Sequence, residues 1–168
     1  MAISIILASK SPRRKEILEN LGLKFDIVTA DADESSDIRE PGARVMALAE
    51  KKGLAVVDKL GDCTESIIIA CDTLVYCNGE FLGKPKNRED AERMIKMLEG
   101  NSHEVISGIF LSYKGKGETA YASTKVIFDS MTDADIEAYL NTDEPYDKAG
   151  AYAIQGLASA HIKGREGD

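Results

Sequence analysis

The run Ser66-Ile67-Ile68-Ile69-Ala70-Cys71 constrains this chain more than any other feature, because its apolar residues follow one another without alternation. A half-solvated strand shows period two. An unbroken apolar run belongs to a sheet covered on both faces, the usual setting of an α/β protein. Ile3–Ala8 reads as a second buried strand. The segment after it changes character at once: Ser11 caps a helix with Pro12 at its first position, and Gly22 ends it. Ile17, Leu18 and Leu21 are expected to form the apolar face of that helix.

The rest of the chain continues the alternation. Phe25–Ala30 reads as a strand, residues 31–40 as a polar loop, and residues 41–60 as a long helix stopped by Gly61. Leu74–Cys77 and Glu80–Leu82 flank Asn78-Gly79, a strong hairpin signal. Asn87 starts a helix to about Leu98, followed by Gly100. Residues 103–113 and 118–128 read as two long strands around Lys114-Gly115-Lys116-Gly117. Thr132 and Asp135 resemble a capping box for a helix to about Asn141. The final segment holds Asp147–Gly156 and a strand near Ala160–Lys163. Alternating elements followed by long antiparallel pairs predict a mixed sheet wrapped by helices, an α/β fold.

The 168 residues suit one domain, of one or two lobes. A chain of that size buries roughly 70% of its unfolded surface and needs no staple. The 43% hydrophobic and 30% charged content is that of a soluble globular protein, and no apolar run reaches membrane-span length. Met1 leads straight into Ile3–Ala8 without a basic segment, which predicts no signal peptide and a cytoplasmic location. Cys63, Cys71 and Cys77 form no CxxC pair and read as small core residues in a reducing compartment. A net charge of −8 argues against nucleic acid or a membrane as partner. Within that acidic total, Lys10, Arg13, Arg14 and Lys15 make a basic patch. Asp31, Asp33, Glu34, Asp37 and Glu40 make an acidic one. Each is either a local ion site or solvated surface.

Four segments carry chemistry-bearing residues. In Leu7-Ala8-Ser9-Lys10-Ser11-Pro12-Arg13-Arg14 a strand gives way to a helix start, where backbone N–H groups, Ser9, Ser11 and the two guanidinium groups suit phosphate. The alternative is an ordinary capped helix. Asp72, with Thr73 after it, is expected at the carboxyl end of the apolar strand, where α/β sheets present their ligands. There it can bind Mg²⁺ or accept a proton from water, or simply start a turn. Lys84, between Gly83 and Pro85, has a firmly held backbone and an ammonium suited to a phosphate oxygen. In Asp147–Gly156 small residues permit close approach, and Gln155 offers the donor and acceptor needed to read a base edge, unless it is a buried, satisfied amide. His103 and His161 lack partners at ligand spacing and read as structural or surface residues.

Together these pieces resemble the Maf family of nucleotide pyrophosphatases. The resemblance rests on residues 7–14, Asp33-Glu34, Leu48-Ala49 with Lys52, Ala70–Thr73, Gly83-Lys84-Pro85 and residues 147–156, in order along nearly the whole chain. It implies a fold of the Maf and inosine triphosphatase kind, with two lobes and a central cleft. It implies divalent-metal-dependent hydrolysis of nucleoside triphosphates to monophosphate and pyrophosphate, with Mg²⁺ or Mn²⁺ held by Glu34 and Asp72. Asp72 becomes the catalytic acid–base residue. Ser9, Arg14, Glu34, Lys52 and Lys84 become the triphosphate and metal site. Arg13, Thr73 and Gln155 match the positions that set base preference in the branch acting on dTTP and UTP. A house-cleaning role, a link to septum formation and a homodimer are also implied as open possibilities. The rival readings are a purine-directed house-cleaning pyrophosphatase and a nucleotide-binding regulator of cell division. Two departures stand out. Position 71 is Cys in place of a smaller residue. Family members also continue past the segment matching Glu166-Gly167-Asp168 with a strand and a closing helix.

Overall fold

The computed structural model describes residues 2–167. Seven strands and four helices follow one another as β1 (Ser4–Leu7), α1 (Pro12–Asn20), β2 (Asp26–Ile27), α2 (Pro41–Leu60), β3 (Ser66–Cys77), β4 (Glu80–Leu82), α3 (Arg88–Leu98), β5 (Ser102–Tyr113), β6 (Lys116–Phe128), α4 (Asp133–Leu140) and β7 (Ile162–Gly167). Three 3₁₀ turns, Glu144–Asp147, Ala149–Ala151 and Leu157–His161, separate α4 from β7. The strands form one sheet in the order β2-β1-β3-β5-β6-β7, with β4 paired to β3. β1 runs parallel to β2 and β3, whereas β3 with β4 and β6 with β7 are antiparallel. The predicted mixed sheet and α/β class are therefore found. No helix among the described residues is long and apolar enough to cross a membrane.

The chain divides into two compact units. One holds the residues up to Asp72 with Ser107–Tyr121, the other Thr73–Ile106 with the residues from Ala122 onward. In the first unit the strands carry a different apolar set on each face, as their period of two requires. Ile6, Ala8, Ile68, Ala70 and Phe110 pack with Ala49 and Val56 of α2. Leu7 and Ile69 pack with Leu18 of α1. Gly53 lets α2 lie close to the sheet: a Cβ there would sit 2.2 Å from Phe110 Cδ1 and 3.2 Å from Ala70 Cβ. The adjacent Lys52 is held near the same surface as a result. In the second unit Val75, Leu82, Met94, Ile95, Leu98, Val126, Phe128, Ile136 and Leu140 make the core. Arg88 of α3 donates to the Leu140 carbonyl at 2.9 Å and to Glu137 at 2.7 Å, tying α3 to α4.

Several boundaries differ from expectation. Asp72 and Thr73 do not follow a strand or start a turn: β3 continues through them. Asp is a poor strand former, but Ser66–Ile69 pair with β1 and Val75–Cys77 with β4, so pairing on both sides carries the backbone through. Phe25–Ala30 shrinks to Asp26–Ile27, because β1 ends at Leu7 and offers no longer partner. On α1 only Leu18 is buried; Ile17 and Leu21 are exposed, since the nine-residue helix covers just part of its sheet face. The turn between β5 and β6 is the pair Lys114-Gly115, both at positive φ, shorter than the four residues expected. The last strand begins at Ile162, since residues 157–161 are taken up by a 3₁₀ turn. The caps at Ser11, Asn87 and Thr132 are present, the last as a full capping box.

Candidate active site

The first unit gathers charge at two places. At the start of α1, Ser11 N–H donates to the Ser9 hydroxyl oxygen at 3.2 Å, and Arg14 Nη1 donates to the same oxygen at 3.1 Å. Ser9 is buried, so its hydroxyl gives the Arg14 guanidinium a fixed anchor. Arg13 lies on the exposed flank of α1, 3.3 Å from Glu16. Lys15 pairs with Glu19 in the same manner. The basic patch thus splits into one arginine anchored on the loop and flanking residues that make ordinary helix-surface pairs.

At the second place, α2 and β3 bring Lys52 and Asp72 together from 20 residues apart. Ile68, Ala70 and Asp72 alternate onto the sheet face that α2 covers, so the acid meets a helix side chain. Lys52 Nζ lies 2.5 Å from Asp72 Oδ1 and 3.1 Å from Glu34 Oε1. The exposures of the three differ sharply: side-chain values are 9% for Asp72, 23% for Lys52 and 72% for Glu34. Asp72 is therefore enclosed, and Glu34 reaches Lys52 from the solvent side. Burial works against the Lys52 ammonium, but the hydrogen bonds and charges of Asp72 and then Glu34 outweigh it and hold its pKa above the ordinary lysine value. Asp72 Oδ2 is buried without a hydrogen-bond partner. A buried, unpaired carboxylate oxygen is costly and marks a position that something else satisfies.

The acidic loop is partly committed to its own structure. Asp33 accepts from Ser35 N–H at 2.9 Å and the Ser35 hydroxyl at 2.7 Å, which lowers its pKa. Glu40 is the N-cap of α2, accepting from the N–H groups of Gly42 and Ala43. Lys51 donates to the Ser35 carbonyl at 2.8 Å. Glu34 alone of the loop's acids reaches Lys52. Among the described residues no group of three or more His, Cys, Asp or Glu is placed to hold a metal ion. Cys71, next to Asp72, is a free thiol. Its pKa is raised chiefly by burial, with Arg14 opposing, so it is no ready thiolate.

Thr73, Lys84 and Gln155 belong to the second unit. Thr73 is half-buried and, one residue on in β3, takes the opposite face from Asp72. Lys84 is exposed, on a loop tied to the later segment by Gly150 N–H donating to the Gly83 carbonyl at 3.0 Å. Asp147 is held below its ordinary pKa first by its 2.8 Å bond from Lys148, with the Lys84 charge adding to that. Gln155 is exposed, not the buried amide that was its alternative reading. The segment that carries it is bonded to groups the sequence did not flag, Glu144 and Tyr139, and Tyr152 within it is bonded to the buried His103. His103 is a core residue, as expected, and its pKa falls to about 4 because of burial. Nothing in the local spacing of Glu144 marks it, because its partners lie 5, 13 and 14 residues away.

Comparison with known proteins agrees on one lineage. The dTTP/UTP pyrophosphatase of Caldanaerobacter subterraneus subsp. tengcongensis is 47% identical over 168 residues, covering 99% of this chain and 80% of its own. The dTTP/UTP pyrophosphatase of Alkaliphilus metalliredigens is 44% identical, over 98% of this chain and 85% of its own. Among solved structures, the Ham1 protein of Staphylococcus aureus superposes with a TM-score of 0.53 at 16% identity, over 74% of this chain and 71% of that one. At that identity the likeness speaks for the fold alone. The model of the Maf-like protein family matches residues 4–168, a span that takes in both the Ser9–Arg14 segment and the Lys52–Asp72 pair, and the chain belongs to that family.

Proposed function

We propose that this chain hydrolyses dTTP and UTP to the monophosphate and pyrophosphate, with Asp72 as the residue that takes a proton from the attacking water. The observation that carries the reading is the asymmetry of the Asp72 carboxylate: Oδ1 is engaged by Lys52 and Oδ2 is buried and unpaired. The names of the relatives, dTTP/UTP pyrophosphatases, supply the substrate class. In this reading residues 1–168 act as one nucleotide-handling domain.

A divalent metal, Mg²⁺ or Mn²⁺, fits these residues. Mg²⁺ sites in phosphate chemistry commonly use one or two carboxylates plus the substrate's own phosphates. Asp72 and Glu34 are such a pair: Asp72 Oδ1 and Glu34 Oε1 already gather one cation between them, the Lys52 ammonium, and Oδ2 is left for the proton. When bound, the metal supplies Lewis-acid stabilisation of phosphate charge. The remaining work is done by side chains. Lys52 holds Asp72 in one orientation through its bond to Oδ1. Arg14, braced by Ser9, brings a guanidinium charge suited to phosphate, and Lys84 is assigned to the triphosphate by its match to the family pattern. Water attacks the α-phosphorus, its proton passes to Asp72, the bond to the bridging oxygen breaks and pyrophosphate leaves. Arg13, Thr73 and Gln155 are assigned to the base by their match to the family pattern. Gln155 suits a pyrimidine, whose carbonyl and imide N–H complement an amide's donor and acceptor.

The test is a pyrophosphate-release screen over dTTP, UTP, GTP, ATP and 7-methyl-GTP with Mg²⁺ or Mn²⁺. Release from dTTP and UTP that stops on chelation is expected. A purine preference would overturn the substrate and spare the chemistry. No release from any triphosphate would overturn both.

A further inference from the structure

We infer that Glu144 is a positioning residue for base selection, holding the turn that presents Gln155. The inference rests on the assignment of Gln155 to the base given above. The Glu144 carboxylate draws three donors from two sides. Oε1 accepts from Leu157 N–H at 2.8 Å. Oε2 accepts from Ala158 N–H at 3.2 Å and from the Tyr139 hydroxyl at 2.7 Å. The Tyr139 hydroxyl also lies 3.0 Å from the Ala151 carbonyl, so its hydrogen is shared between the two acceptors. Tyr152 is held in turn by a hydrogen bond between its hydroxyl and His103 Nε2. The chain is thereby pinned at Ala151 and Tyr152 on one side of Gln155 and at Leu157 and Ala158 on the other.

Gly156 shows how tightly the turn is drawn in. A Cβ at that position would lie 1.8 Å from Glu144 Oε1 and 3.0 Å from the Ala153 Cβ. Only the residue after Gln155 lacking a side chain lets the carboxylate come this close. The pinned segment also forms one wall of a hollow of about 590 Å³ lined by Ile154, Gln155, Ser159, Ile162, Lys163 and Arg165.

The need for a carboxylate follows from its acceptor count. Two oxygens with about four lone-pair sites can take three donors at once. A glutamine has the same shape but one acceptor oxygen, and its amide hydrogens would face a backbone N–H. Replacing Glu144 by Gln therefore frees part of the turn without removing bulk. An exposed amide on a loosened turn loses orientation, and discrimination built on hydrogen bonds falls with it.

The experiment measures kcat and KM for dTTP, UTP, GTP and ATP, with melting temperature, for the full chain and for Glu144→Gln, Tyr139→Phe, Gly156→Ala and Gln155→Ala. Glu144→Gln is expected to raise KM for dTTP and UTP by about tenfold, hold kcat within about threefold, and compress the pyrimidine preference toward that of Gln155→Ala. Tyr139→Phe should move the same way by less. If Glu144→Gln does not fold, Gly156→Ala decides, since its Cβ displaces the same contact: an altered preference supports the inference and a wild-type preference overturns it. A Glu144→Gln protein that melts earlier but keeps wild-type KM and preference also overturns it. So does an equal fall in kcat for all four nucleotides at constant KM. Unchanged preference in Gln155→Ala means instead that the base is read elsewhere, and the assignment beneath the inference fails.

Discussion

Asp72 is buried, yet its carboxylate meets its cationic partner through one oxygen alone. Asn keeps the shape of that side chain and removes its charge and basicity. Asp72→Asn should cut turnover by roughly a hundredfold or more, the scale of a lost general base, while melting temperature holds or rises. Near wild-type turnover would refute the assignment. The sequence pointed to Asp72 because it follows the apolar run, though it put the residue at a strand end where the strand in fact continues. It did not reveal which oxygen is left unpaired. His103 gives a second residue-level prediction. Its folded pKa of about 4 lies below the ordinary 6.5, so the unfolded chain binds the extra proton between those values. Stability is then full above pH 6.5 and falls as pH drops toward 4, by up to roughly 3 kcal/mol. Denaturant midpoints for wild type and His103→Gln across that window check it: the variant's curve should be flatter, whereas parallel curves would remove His103 as the cause.

Among the elements, α2 shows propensity and packing pulling in opposite directions. In an exposed helix Gly→Ala stabilises by about 1 kcal/mol. At Gly53 the new Cβ would sit 2.2 Å from Phe110, a ring 1% exposed with nowhere to turn. Overpacking of this kind costs about 1–3 kcal/mol, so Gly53→Ala is expected to lower the melting temperature in spite of its helix propensity. A higher melting temperature would show that the sheet yields to the helix. Glu40 at the start of α2 is a further case, since its carboxylate accepts from two backbone N–H groups. Its replacement by Ala should cost about 1 kcal/mol, measured by denaturant unfolding. The extent of α2 could be read from the chain, because Pro41 and Gly61 bracket it. The shortness of β2 could not, because a strand needs a partner and β1 stops at Leu7.

For the molecule as a whole, the predictions concern how substrate handling separates from stability. Arg14→Ala and Lys84→Ala should weaken triphosphate turnover far more than they lower the melting temperature, since Arg14 lies in the first turn of the short helix α1, outside its buried core, and Lys84 is exposed. A collapse in melting temperature would make either residue structural. Base choice tests the same separation from the other side. Wild type should prefer dTTP and UTP over GTP, ATP and 7-methyl-GTP in direct competition, and Gln155→Ala should flatten that order with little change in unfolding. Unchanged order would move base reading away from Gln155.

The sequence alone determined the α/β class, the capped helix after the first strand and the family, because these rest on local pattern: apolar runs, caps and contiguous motifs. It named Ser9, Arg14 and Asp72 as types suited to phosphate and metal, and Lys52 only through the resemblance to the family. Only the tertiary structure decided that Lys52 bridges Asp72 and Glu34, that Asp33 and Glu40 are spent on local bonds, that Ile17 and Leu21 stay exposed, and that Glu144 closes the turn around Gln155. These contacts join residues distant in the chain. Whether they form depends on strand register and on which face a side chain takes, and both are fixed by packing across elements, not by the order of neighbours along the chain.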